Sequence, residues 1–68
     1  MTTHADIVRS AGKAEDIALA CGVSVHTVRS WVVRDSIPAE HWADFNTAGW
    51  ATLDALADAA AERKRAAA

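Results

Sequence analysis

Apolar residues recur every three or four positions in five short segments of this chain, and Gly or Pro separates most of them. This is the period of an amphipathic helix, and no segment alternates in the two-residue period of a half-buried strand. The pattern predicts helices over roughly 4–11, 13–21 and 25–34, a short fourth helix after Pro38, and a fifth over about 50–65. We therefore expect an all-α protein, a compact bundle of four to five short helices.

Start and stop signals agree with these segments. Thr3 and Asp6 have the spacing of a capping box at the start of the first helix. Ser24 is a favourable N-cap for the third helix, and Gly22 suits the end of the second. Pro38 fits the first turn of a helix, where its missing N–H has no helical partner to lose.

The inward faces of the predicted helices define an expected core. On the second and third helices and the turn between them, the inward residues are Ile17, Cys21, Val23, Val28 and Trp31. The later helices contribute Trp42, Phe45, Trp50, Leu53, Leu56, Ala57 and Ala60. Leu19 falls on the outward side of the second helix, so it either covers the fifth helix or forms part of a subunit contact.

The length of 68 residues suits one small domain, and a composition of 51% hydrophobic and 24% charged residues is typical of a folded one. A single cysteine excludes an intrachain disulfide, and a four-ligand zinc site would need His4, His26 and His41 from dispersed positions. We expect no metal and no cofactor. There is no apolar, uncharged stretch of membrane-spanning length and no basic and apolar leader, so the expected location is the cytoplasm.

Charge is distributed unevenly along the chain. The formal net charge is −2, which argues mildly against a nucleic-acid partner. Residues 1–34 nevertheless carry a net charge of +1, residues 35–61 carry −5 with no Lys or Arg, and residues 62–68 carry +2. We therefore expect a polyanion to bind to the first half of the chain.

The most informative stretch covers residues 14–33, two short helices joined around Gly22, Val23 and Ser24. Because helical residues are spaced about 100° apart, one side of the third helix faces away from the core. That outer side offers a guanidinium for guanine, an imidazole, a hydroxyl and two valines for a thymine methyl group. The predicted base-reading residues are Val25, His26, Arg29, Ser30 and Val33. Lys13, Thr27 and Arg34 are placed to contact phosphates, with Ser24 at the helix cap.

These residues give the chain a family resemblance. The run from Asp16 to Trp31, DIALACGVSVHTVRSW, resembles the helix-turn-helix of the Cro and lambda-repressor-like family. The resemblance implies that the third helix enters the major groove and that the protein is a small transcriptional regulator of a phage, prophage or bacterium, found in the cytoplasm or nucleoid of its cell. It assigns base reading to Val25, His26, Arg29 and Ser30, and backbone contact to Lys13 and Thr27. Ala14 differs from the Gln that family members often have at the start of the second helix.

Other functions remain open. A DNA-packaging or recombination accessory protein could use the same motif, and an antitoxin-like module could bind a basic partner through its acidic half. His41 and Asp44 have helical spacing, but no nucleophile or third member accompanies them, so we interpret them as a surface pair and expect no enzyme. The basic residues 63–65 complement the negative end of the last helix or contact DNA.

The expected partner is double-stranded DNA, bound by a homodimer on an inverted repeat. One recognition helix reads only a few base pairs, and the small positive charge of the first half gives little attraction to hold a monomer on them.

Overall fold

This computed structural model describes residues 2–67 of the chain. They contain five α-helices and one 3₁₀ turn. The helices are α1 (His4–Ala11), α2 (Ala14–Cys21), α3 (Val25–Arg34), α4 (Trp42–Thr47) and α5 (Leu53–Ala67), and the 3₁₀ turn (Ala39–His41) leads into α4. No strand occurs within this range. The predicted all-α class is confirmed, and none of these helices has the length and apolar character needed to cross a bilayer.

The predicted caps of α1 and α3 are present. Thr3 Oγ1 accepts from the Asp6 N–H at 3.1 Å, and the Thr3 N–H donates to Asp6 Oδ2 at 3.3 Å, which completes the capping box. Ser24 Oγ accepts from the Thr27 N–H at 3.1 Å. These side chains bond amides that have no partner within their own helix, so α1 and α3 begin where the sequence predicts.

A tight turn of residues 22–24 joins α2 to α3. Gly22 has φ 70° and ψ 32°, a left-handed conformation that strains any residue with a Cβ atom. Its N–H bonds the Ala18 carbonyl, which also accepts from the Val23 N–H at 3.0 Å. Helix α2 begins at Ala14, one residue later than predicted, because Lys13 has the extended backbone of an N-cap residue.

Asp35 ends α3 and ties it to α1. Its backbone is left-handed at φ 54°, a conformation that Asp tolerates better than most residues. Its Oδ1 accepts a 2.8 Å hydrogen bond from the Ala5 N–H in the first turn of α1. The carboxylate therefore satisfies a free helical amide and fixes the N-terminus of α1 beside the C-terminus of α3.

The last helix differs from its predicted bounds. Thr52 Oγ1 accepts from the Ala55 N–H at 3.0 Å, so α5 starts at Leu53 and not near Trp50, and it continues to Ala67. Trp50 lies before the helix and packs edge-on against Phe45, with ring centroids 5.3 Å apart. A side-chain cap and an aromatic contact therefore override the helical spacing that included Trp50 in the predicted stripe.

The core draws on all five helices. Ile17, Val28, Phe45 and Leu56 are its most deeply buried large side chains. On α5 the predicted stripe is partly wrong. The buried residues are Leu56 and Ala59, whereas Leu53 is about half exposed and Ala57 is exposed. Trp42 and Trp50 are only partly buried and pack against the core from its margin.

His4 is the buried polar residue that the sequence analysis missed. Only 3% of it is exposed, and its ring bridges two distant segments. The Ile37 N–H donates to His4 Nδ1 at 2.8 Å, and His4 Nε2 lies 2.8 Å from the Leu56 carbonyl oxygen. Because Ile37 can only donate and the carbonyl can only accept, the ring is neutral with its proton on Nε2.

Candidate nucleic-acid interface

Helix α3 is fixed by its inner face. Val28 and Trp31 are buried, and α3 packs against both α1 and α2. Trp31 also lies near two aromatic rings, with centroid distances of 5.1 Å to His41 and 6.2 Å to Phe45. The orientation of α3 is therefore set by the core, and its opposite face is held in solvent.

That outer face carries the predicted base-reading residues. His26, Arg29 and Val33 are exposed and fall within about 60° of one another around the helix axis, at 100° per residue. Val33 is 86% exposed, so its methyl groups are free to contact another molecule. Val25 and Ser30 lie at the two margins of this face and are partly buried. The structure thus groups all five residues on one side of α3, and three of them are exposed to solvent.

A groove of about 480 Å³ follows one flank of α3. His26, Ser30 and Arg34 line it from the helix, and Ser36 and Pro38 line it from the segment after α3. Helical periodicity could not place Ser36 and Pro38 beside α3, because their position there depends on the distant bond between the Ile37 N–H and His4.

The predicted phosphate-contacting residues surround this face. Lys13 and Arg34 are exposed at the start of α2 and the end of α3. Ser24 and Thr27 have their hydroxyl oxygens 2.9 Å apart, so the two side chains are hydrogen bonded at the helix cap. Within residues 2–67, no ion pair involves Lys13, Arg29 or Arg34. These three cations can therefore meet an anion without first breaking a salt bridge.

The basic residues near the end of α5 are in a different situation. Arg65 lies 2.8 Å from Glu62, one helical turn earlier, and Lys64 and Arg65 stand in the last turn. Positive charge in the last turn of a helix is stabilised by the negative end of the helix dipole. The structure gives these residues a local role within α5.

A second cluster forms where α2 meets α4. His41 Nδ1 lies 3.3 Å from Asp44 Oδ2, and one ligand atom each from Cys21, His41 and Asp44 falls within 4.8 Å of the others. The predicted pair is present at the edge of the core, with the His41 side chain 16% exposed and that of Asp44 40% exposed. The Trp31 ring lies against the imidazole at a tilt of 37°, a contact that helical spacing alone could not indicate.

Cys21 is a buried core residue, as predicted. Burial raises the pKa of its thiol, and the negative charge of Asp44 raises it further. Both effects disfavour the thiolate, so the free thiol is a weak nucleophile.

Comparison with known proteins adds no relative. No protein-family model matches the chain, and no curated protein or solved structure matches it.

Proposed function

We propose that the protein is a sequence-specific DNA-binding transcriptional regulator, a Cro-like repressor that inserts α3 into the major groove. The observation that carries this proposal is the exposed face of His26, Arg29 and Val33 on a helix whose other side is locked into the core. A rigid helix presenting a free guanidinium is the usual device for reading base edges.

The dimensions suit this role. Helix α3 has 10 residues and is therefore about 15 Å long at 1.5 Å per residue. The major groove is about 12 Å wide and admits one α-helix. The tight turn at Gly22 keeps α2 close to the N-terminal end of α3, so α2 would cross the DNA backbone while α3 enters the groove.

The chemistry divides between base edges and phosphates. Arg29 would bond guanine O6 and N7, His26 would donate to or accept from a base edge, and Val33 would lie against a thymine methyl group. Lys13 and Arg34 would contact phosphates on either side and set the register of the helix. The net charge of residues 1–34 is only +1, so base contacts must supply much of the preference for an operator.

The direct test is selection of bound sequences from a random pool of duplex DNA at a stated salt concentration. The proposal expects enrichment of a short motif that contains at least one G·C pair. If the pool yields no motif and binding stays weak at low salt, the acidic residues 35–61 and an antitoxin-like role with a basic protein partner become the better explanation.

Arg29→Ala is expected to reduce sequence preference, whereas Lys13→Ala is expected to reduce affinity for all sequences. Loss of Arg29 should weaken operator binding by about 1–3 kcal/mol and relax the preference at one G·C pair. Loss of Lys13 should weaken binding to all sequences alike and reduce the salt slope by about one. Fluorescence anisotropy on operator and scrambled duplexes across a salt series measures both effects. An equal loss on both duplexes for Arg29→Ala would reassign this residue to phosphate contact.

Binding as a two-fold dimer on an inverted repeat is also expected. Two copies of α3 would stand about 34 Å apart, one turn of the duplex, and each would read one half-site. Leu19 is 86% exposed, so it does not cover α5, and it offers an apolar contact for a second copy. Sedimentation with footprinting measures stoichiometry and protection together. Leu19→Ser should weaken binding to the full operator and leave binding to an isolated half-site unchanged. A monomer that protects a single asymmetric half-site at full affinity would contradict this expectation.

A further inference from the structure

We propose that Cys21, His41 and Asp44 form a zinc-binding site that links the C-terminal end of α2 to the start of α4. No residue of this cluster belongs to the proposed DNA-binding face, so the site is independent of the proposed function. The cluster combines three different donor atoms that come from separate elements of the fold.

The distances fit a single small cation. Two ligands of one tetrahedral zinc stand roughly 3.3–3.6 Å apart, given bond lengths of about 2.0–2.3 Å. His41 Nδ1 and Asp44 Oδ2 are already 3.3 Å apart, and the three ligand atoms lie within 4.8 Å of one another. The longest separation exceeds the tetrahedral distance by about 1 Å, so the side chains would have to close by that amount around the ion.

The donor set selects the metal. Thiolate and imidazole favour zinc over magnesium and calcium, which prefer sites made only of oxygen ligands. Three protein ligands and one water is a familiar zinc arrangement, and Asp44 is 40% exposed, which leaves the cluster a side open to solvent. Zinc would therefore reach the cluster from the surface and keep a water as its fourth ligand.

A bound divalent cation would reverse the electrostatic preference at Cys21, from the neutral thiol to the thiolate. Without a cation, a buried thiol beside the Asp44 carboxylate holds its proton, and its pKa is raised for that reason. A bound zinc ion would stabilise both the thiolate and the carboxylate, and the thiol proton would pass to solvent. The Asp44 carboxylate, which disfavours the thiolate when no cation is present, would then be a second ligand of the same ion.

His41 is oriented for this role. Its ring is held against Trp31, and its Nε2 lies 3.6 Å from Glu40 Oε1. When Nδ1 binds a metal, the N–H at Nε2 faces that carboxylate, an arrangement that fixes the ring and increases its basicity. Trp31 provides a reporter, because its indole lies beside the proposed ligand.

The test is titration of the full reduced chain with Zn²⁺ by calorimetry and with Co²⁺ by absorption spectroscopy. We expect one ion per chain, proton release, a change in tryptophan fluorescence and, with Co²⁺, a thiolate charge-transfer band. Asp44→Asn should keep the fold and weaken Zn²⁺ binding by about tenfold to a hundredfold. Cys21→Ala should abolish the charge-transfer band.

His26→Ala is the matched control, since it removes an exposed imidazole on α3 and should leave Zn²⁺ affinity unchanged. Absence of saturable binding would overturn the proposal. Zn²⁺ binding that is unchanged in both Asp44→Asn and Cys21→Ala would also overturn it, as would a Co²⁺ complex without a thiolate band. None of these measurements involves DNA, so a failed operator selection would leave the zinc result intact.

Discussion

Replacing Trp31 with alanine is expected to lower the free energy of unfolding by about 3–5 kcal/mol, enough to unfold much of a domain this small. Trp31 is buried on α3 and lies near the rings of His41 and Phe45, so truncation would leave a cavity where α3 meets the α4 region. Urea unfolding followed by far-ultraviolet circular dichroism measures the change directly.

Val33→Ala on the same helix is the control for this prediction. Val33 is exposed, and its truncation should change the free energy of unfolding by no more than about 0.5 kcal/mol. A Trp31→Ala protein that melts cooperatively near the original midpoint would show that the core is organised around other residues.

Replacing His4 with alanine is expected to cost at least about 1–3 kcal/mol, because the buried Ile37 N–H would lose its partner, whereas the Leu56 carbonyl lies within α5 and keeps its helical hydrogen bond. The Ile37 N–H and the Leu56 carbonyl both bond the His4 ring at 2.8 Å. The ring also packs edge-on against Trp42, with centroids 5.9 Å apart. Chemical denaturation at neutral pH measures the loss.

His26→Ala removes the same side chain from an exposed position and should leave stability within about 0.5 kcal/mol of the parent protein. If His4→Ala were equally mild, water would have to replace the imidazole between Ile37 and Leu56. In that case the ring would not be the element that joins the start of α1 to α5.

The resemblance to the Cro and lambda-repressor-like family stays a prediction carried by residues 16–31. What the structure adds is the placement of these residues. The turn at Gly22 has the left-handed geometry that the pattern requires, and Val28 and Trp31 face the core. Arg29 is exposed as the resemblance implies, so its replacement is the most informative test of DNA recognition.

Local rules were sufficient for the first three helices. Caps at Thr3 and Ser24 and the glycine at position 22 act over three or four residues, and their hydrogen bonds depend only on near neighbours in the chain. Periodicity misplaced the start of α5, because it included Trp50 in the apolar stripe. The Thr52 cap, a signal as local as the caps at Thr3 and Ser24, sets that start, and Trp50 packs on Phe45 before the helix.

The sequence by itself therefore determined the helical class, the bounds of α1 and α3, and the outward face of α3. Tertiary structure alone decided the roles of His4, His41 and Ile37. The partners of His4 are 33 and 52 residues away, and Cys21 meets His41 and Asp44 across two helices. Helical periodicity assigns each residue to a face of its own helix, but it contains no information on which other face that residue will meet. That information arises only when the helices pack.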